Sequence, residues 1–98
     1  MKKKILVIIA DYYKDISNNL LESALNNLDK KYYSIKILKV PGVFEIPVTI
    51  SRNINKYNGF IALGCVIKGQ TPHFDFISQS AIDAIMTLSI SSKKPIGN

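Results

Sequence analysis

Residues 64–76 read Gly-Cys-Val-Ile-Lys-Gly-Gln-Thr-Pro-His-Phe-Asp-Phe, and they hold most of the chain's chemical equipment. An apolar run, 60–63, ends in a glycine-bounded polar loop, and the loop closes on Thr71-Pro72 before an amphipathic stretch. That is a strand, a loop and a helix start. The Thr71 hydroxyl, backbone N–H groups beside Gly69 and the positive end of a helix dipole converge there, as needed to hold a phosphate or a carboxylate. His73, the single histidine of the chain, puts a titratable base beside such an anion. The plainer reading is a histidine making local hydrogen bonds at a helix end. A second cluster, Pro41-Gly42-Val43-Phe44-Glu45-Ile46-Pro47, places the Glu45 carboxylate at a helix start, where the dipole favours it. A carboxylate is also a double acceptor suited to a polyol. Read plainly, Gly42 is a turn residue and Val43 and Phe44 are packing. Tyr12 follows the first apolar run, and its plain reading is an exposed loop tyrosine.

The elements that must position these residues alternate. Residues 5–10 form a continuous apolar run, as in a strand buried on both faces of a parallel sheet. Ile16, Leu20, Leu21, Ala24, Leu25 and Leu28 fall at helical spacing and predict a helix over 16–28. The segment 34–40 reads as a second strand with Ile35, Ile37 and Leu38 inward. Pro41-Gly42 breaks it. Ile46, Ile50 and Ile54 recur every four residues, with Pro47 near the first turn, and predict a helix over 46–56. Asn58-Gly59 is a turn, 60–65 a third strand, and Phe74, Ile77, Ala81, Ile85 and Leu88 a third helix over 73–91. The remaining phenylalanines and both methionines read as packing. Three strand–helix alternations in one domain, 1–98, predict right-handed crossovers and a three-layer α/β/α sandwich on a parallel sheet. Loops after strand C-terminal ends collect on one sheet edge. The loops 11–15, 41–45 and 65–72 therefore converge for reasons of topology.

Composition removes several function classes. The net charge is +6, with 13 Lys and Arg against 7 Asp and Glu. Lysines 2–4, 30–31 and 93–94 fall at element edges, where they are normally solvated, and a Lys/Asn/Ile bias accounts for the excess. No aromatic–basic interleaving marks a nucleic-acid surface. One cysteine allows neither an internal disulfide nor a metal cluster, and Cys65 reads as a small buried hydrophobe. The opening Lys-Lys-Lys followed by 5–10 imitates a signal peptide. Its apolar part is too short for a signal core or a membrane span, so a cytoplasmic protein without membrane contact is expected.

The motifs at 41–47 and 64–76, in this order and at this separation, resemble lumazine synthase, a family of riboflavin biosynthesis, and the resemblance runs from Ile5 to Asn98. It implies a flavodoxin-like strand order with a fourth strand beginning at Pro95. The implied activity is condensation of 5-amino-6-(D-ribitylamino)uracil with 3,4-dihydroxy-2-butanone 4-phosphate to 6,7-dimethyl-8-ribityllumazine, without metal or cofactor. Carried over residue by residue, His73 is the proton-transfer histidine. Tyr12 stacks on the pyrimidine, and Val43, Phe44 and Glu45 hold the ribityl chain. The backbone at Cys65, Val66 and Ile67 pairs with the uracil edge, and Gln70 and Thr71 bind phosphate. Lys68 stands where the family usually has arginine, keeping the charge but losing the bidentate fork. Asn98 falls where a neighbouring subunit contributes a residue from the fourth strand, so the resemblance also implies a homo-oligomer, a pentamer. The family pattern continues past residue 98. A chain ending there is expected to be a C-terminally incomplete sandwich with the third strand exposed as an edge. The alternatives are a truncated, catalytically impaired remnant and a non-catalytic flavodoxin-like binding module.

Overall fold

The computed structural model describes residues 2–11, 14–64 and 73–97, the helical residues 73–80 by backbone alone. Four strands, β1 (Lys3–Ala10), β2 (Tyr33–Val40), β3 (Gly59–Leu63) and β4 (Ile96–Gly97), alternate with three helices, α1 (Lys14–Asn26), α2 (Ile46–Asn53) and α3 (His73–Ser92). All strand pairings are parallel, in the order β2-β1-β3-β4. This is the beginning of the flavodoxin-like 2-1-3-4-5 order. The expected elements are present, with ends shifted by a few residues.

The strand β1 is central, and its sequence shows why. Leu6 to Ala10 are all buried, since helices cover both faces of a parallel sheet. Side chains alternate across the sheet. Leu6, Ile8 and Ala10 join Val40, Phe60 and Ala62 in a core sealed by Ile46 and Ile50 of α2 and Ile85 of α3. Burying each large apolar side chain of this set stabilises the fold by about 1.5–3 kcal/mol. Val7 and Ile9 point to the other face, where α1 packs against β1 and β3. The helix α1 is only lightly covered. Its leucines are half-buried, Ile16 is 41% exposed, and its one fully buried residue is Ser17.

Two expectations about burial change. Ile37 and Leu38, read as inward, are each 38% exposed, because β2 is an edge strand while α1 and α2, on the two faces, pack against the central β1. Met86, read as packing, is 60% exposed on the outer side of α3.

The fourth strand begins at Ile96, one residue after the expected Pro95. It pairs Ile96 with Phe60 and Gly97 with Ile61, so β3 is covered over its first half. Lys93, at φ 58°, turns the chain out of α3. Lys94 is half-buried, and its ammonium donates to the Ile54 carbonyl at the end of α2. There the positive charge meets the negative end of the helix dipole, so Lys94 is a tie between α2 and β4 and not merely a solvated edge lysine. No described helix is long and apolar enough to cross a membrane.

Candidate functional site

The C-terminal ends of β1 and β3 and the turn after β2 meet, and Gly64 measures how closely. A Cβ built on Gly64 would lie 2.8 Å from Val43 Cγ2, 3.4 Å from the Ala10 Cβ and 3.7 Å from Ile46 Cδ1. Real Cβ atoms do not approach carbon to 2.8 Å, so only glycine lets the exit of β3 pass the Val43 turn. The contact brings together the ends of β1 and β3, the topological switch point of this strand order, where open α/β sheets bind ligands.

Residues Val43–Glu45 form a single 3₁₀ turn that leads directly into α2. Pro47 at the first turn of α2 fits because its missing N–H would have had no helical partner there. The turn is closed by the Glu45 N–H donating to the Gly42 carbonyl at 3.2 Å. Thr49 Oγ1 donates to the Glu45 carbonyl at 2.9 Å. The Glu45 side chain folds back over the turn, so that Oε2 would lie 3.1 Å from a Cβ at Gly42. It makes no capping hydrogen bond. Oε2 is buried and has no hydrogen-bond partner among the described residues. A buried polar atom without a partner costs about 1–3 kcal/mol. A site retains such an atom readily if a ligand supplies the donor.

Val43 packs against the core, and Phe44 is 60% exposed beside it. Phe44 is therefore a surface side chain at the sheet's C-terminal edge and not part of the chain's packing. His73 is the first residue of α3, the helix-start position expected for it; its side chain lies outside the description. Tyr12, Cys65, Val66, Ile67, Gln70, Thr71 and Asn98 lie outside the described residues. Among the described residues, no group of three His, Cys, Asp or Glu is gathered as a metal site. Of the candidate residues, the structure thus brings together Val43, Phe44 and Glu45, with the backbone start of α3 belonging to the segment that follows β3.

Sequence reasoning missed Ser17. It stands three, four and seven residues before Leu20, Leu21 and Ala24, on the apolar face of α1; its hydroxyl donates to the Ala10 carbonyl at 2.8 Å, and it is 1% exposed. The helical spacing that marks the leucines already places it on the inward face; its polar type is what concealed it.

A sequence model of 6,7-dimethyl-8-ribityllumazine synthase matches residues 2–98. The chain belongs to that family. A protein of Bartonella tribocorum named 6,7-dimethyl-8-ribityllumazine synthase is 39% identical over 103 residues, covering 100% of this chain and 68% of the relative. Its namesake in Agrobacterium fabrum is 38% identical, covering 99% of this chain and 70% of the relative. That of Bartonella bacilliformis is 39% identical, covering 96% and 64%. The chain thus spans about two thirds of the length of these lumazine synthases. The fold expected from the family, an α/β sandwich on a parallel sheet, is the fold observed.

Proposed function

We propose that this chain carries the lumazine synthase reaction. It condenses 5-amino-6-(D-ribitylamino)uracil with 3,4-dihydroxy-2-butanone 4-phosphate to 6,7-dimethyl-8-ribityllumazine, releasing phosphate and water. The observation that carries this reading is the family match over residues 2–98, into which the 41–47 and 64–76 motifs fall. The buried, unpartnered Oε2 of Glu45 at the C-terminal sheet edge supports it, since ribityl hydroxyls are donors of the kind that atom lacks.

The residues act as follows. The 5-amino group adds to the ketone and water leaves as the imine forms. Phosphate is then eliminated, and closure of the second ring expels a further water. His73 transfers protons in these steps, as an imidazole titrating near neutral pH can. Val43, Phe44 and Glu45 hold the ribityl chain, and Tyr12 stacks on the pyrimidine. Backbone groups of Cys65, Val66 and Ile67 pair with the uracil edge, and Gln70 and Thr71 take the phosphate. Asn98 faces a neighbouring subunit's site. Holding two reactants in register supplies much of the acceleration, and no metal or cofactor takes part.

A homo-oligomer, a pentamer by family, belongs to the same proposal. Ile82, Met86 and Ile90 form a stripe at every fourth residue of α3 and are 45%, 60% and 72% exposed. Val48 of α2 adds to the apolar surface. Such a patch suits a second copy of the chain. The place of action is the cytoplasm.

The test mixes the purified chain with both substrates and follows the fluorescence of the product, with light scattering for the assembly. Turnover dependent on both substrates is expected. Binding of the pyrimidine without product would leave a binding module, and no binding of either substrate would overturn the reading.

A further inference from the structure

Gly42 stands between β2 and the turn Val43–Glu45 that leads into α2. Its backbone lies at φ −153° and ψ 173°, extended values open to any residue with a side chain. Glycine is therefore not required there for backbone freedom. The space it leaves is taken by Glu45. Among the described residues, the atoms within 4 Å of a Cβ built on Gly42 are Glu45 Oε2 at 3.1 Å and Glu45 Cδ at 4.0 Å. The same two residues are joined through the backbone, where the Glu45 N–H donates to the Gly42 carbonyl at 3.2 Å. That bond fixes where the Glu45 side chain starts. The bare Cα of Gly42 lets its far end fold back and lie buried. Gly64 is a different case, since a Cβ there would meet Val43, Ala10 and Ile46 and so disturb the meeting of whole elements. A Cβ at position 42 would disturb one carboxylate.

We propose that Gly42 is a positioning residue for the Glu45 carboxylate and, through it, for recognition of the ribityl chain. The inference rests on the proposed function, in which Glu45 accepts from ribityl hydroxyls. A methyl group at position 42 would crowd the folded-back carboxylate, because 3.1 Å is tighter than ordinary van der Waals contact. The end of a flexible side chain is the part that yields, so the carboxylate leaves its seat while the turn stays. Gly42 acts only through Glu45 and offers the substrate no side chain of its own.

The test compares Gly42→Ala, Glu45→Ala and the double variant with the wild-type chain. Gly42→Ala should raise KM for the ribitylaminouracil about three- to ten-fold, with kcat and KM for the phosphate substrate within about two-fold. In the Glu45→Ala background the same change should alter that KM by less than about two-fold, because the side chain it displaces is gone. The melting midpoint of Gly42→Ala should hold or rise, since alanine fits this backbone and restricts the unfolded chain. Equal rises in both KM values, a fall in kcat alone, additive losses, unchanged kinetics or a lowered melting midpoint would overturn the inference while leaving the activity in place. NMR gives a readout without substrate. The carboxyl-carbon resonance of Glu45 should move in Gly42→Ala while the amide resonances of Leu6, Val7 and Ile8 stay in place, and an unmoved Glu45 resonance would also overturn the inference. A wild-type chain that neither binds nor converts either substrate would instead overturn the proposed function. The Glu45 resonance would then decide whether Gly42 seats the carboxylate at all.

Discussion

The two ends of the sheet are built on opposite terms. At the N-terminal end, polar groups close on one another. Asn58 and Lys4 exchange two bonds, the Lys4 N–H to Asn58 Oδ1 and the Asn58 N–H to the Lys4 carbonyl, both at 2.7 Å. The Lys3 N–H reaches the Tyr32 carbonyl, and the Phe60 N–H reaches that of Pro95. At the C-terminal end the Ala10–Asp11 peptide is equally well satisfied, but Glu45 keeps a buried carboxylate oxygen without a partner among the described residues. The glycines at the two ends of β3 follow the same division. A Cβ built on Gly59 would lie 3.2 Å from Ile5 Cδ1, the end of a flexible side chain, and 3.3 Å and 3.5 Å from the ring and carbonyl of Pro95, whereas one built on Gly64 would meet the Val43 turn that carries Phe44 and Glu45. One end spends its polar groups on holding strands in register, and the other holds one back. That difference is expected to separate residues whose loss costs stability from residues whose loss costs the proposed chemistry.

Substitutions at matched positions can break the comparison. The largest effect is expected at Gly64. Gly64→Val drives a branched side chain into Val43 and Ala10, and product formation should fall by about a hundred-fold or more. Gly59→Ala should cost only about 1–3 kcal/mol of stability, from overpacking, with both KM values unchanged. Urea melts and initial rates on the two variants decide it, and equal losses of activity would show that the two ends are not distinct.

Next in size is His73→Ala. If the histidine moves protons, kcat should fall roughly ten-fold or more while ribitylaminouracil binding stays within about two-fold. Parallel losses in titration calorimetry and in rate would make it a structural residue.

Glu45→Gln sharpens the comparison, because stability and binding should part company. Oε2 has no hydrogen bond among the described residues to lose, so the melting midpoint should hold or rise. Ribitylaminouracil should meanwhile bind several-fold more weakly, through loss of a charge-assisted acceptor. The phosphate substrate should be little affected, and a selective loss of its affinity would refute the ribityl assignment.

The smallest effect is expected at Asn58→Ala. The Lys4 N–H loses its partner at an exposed site, and stability should fall by about 1 kcal/mol. Any change beyond two-fold in either KM would mean that the N-terminal end reaches the chemistry.

What could be read from the chain beforehand is what depends on neighbours in sequence. The uninterrupted run at 5–10 marked the doubly covered strand, and Leu6 to Ala10 are buried as it requires. Four-residue spacing marked α2 and α3, and Pro-Gly and Asn-Gly marked the breaks, because helix period and turn chemistry are local. Strand–helix alternation put the C-terminal ends of the strands on one edge, and the contact between Gly64 and Val43 follows from it. The expected inward positions of Ile37 and Leu38 failed because no local signal says which strand will lie at the sheet's edge. Strand order comes from crossovers tens of residues long. The same limit hid Lys94, Phe44 and the partner of Ser17, whose inward position the helical spacing with Leu20, Leu21 and Ala24 did carry. Whether a serine meets a strand-end carbonyl, a lysine a helix end, or a phenylalanine open solvent is set by residues distant in sequence. The residue types thus proposed Glu45 as an acceptor, and tertiary packing decided that one of its oxygens would be buried with no donor among the described residues.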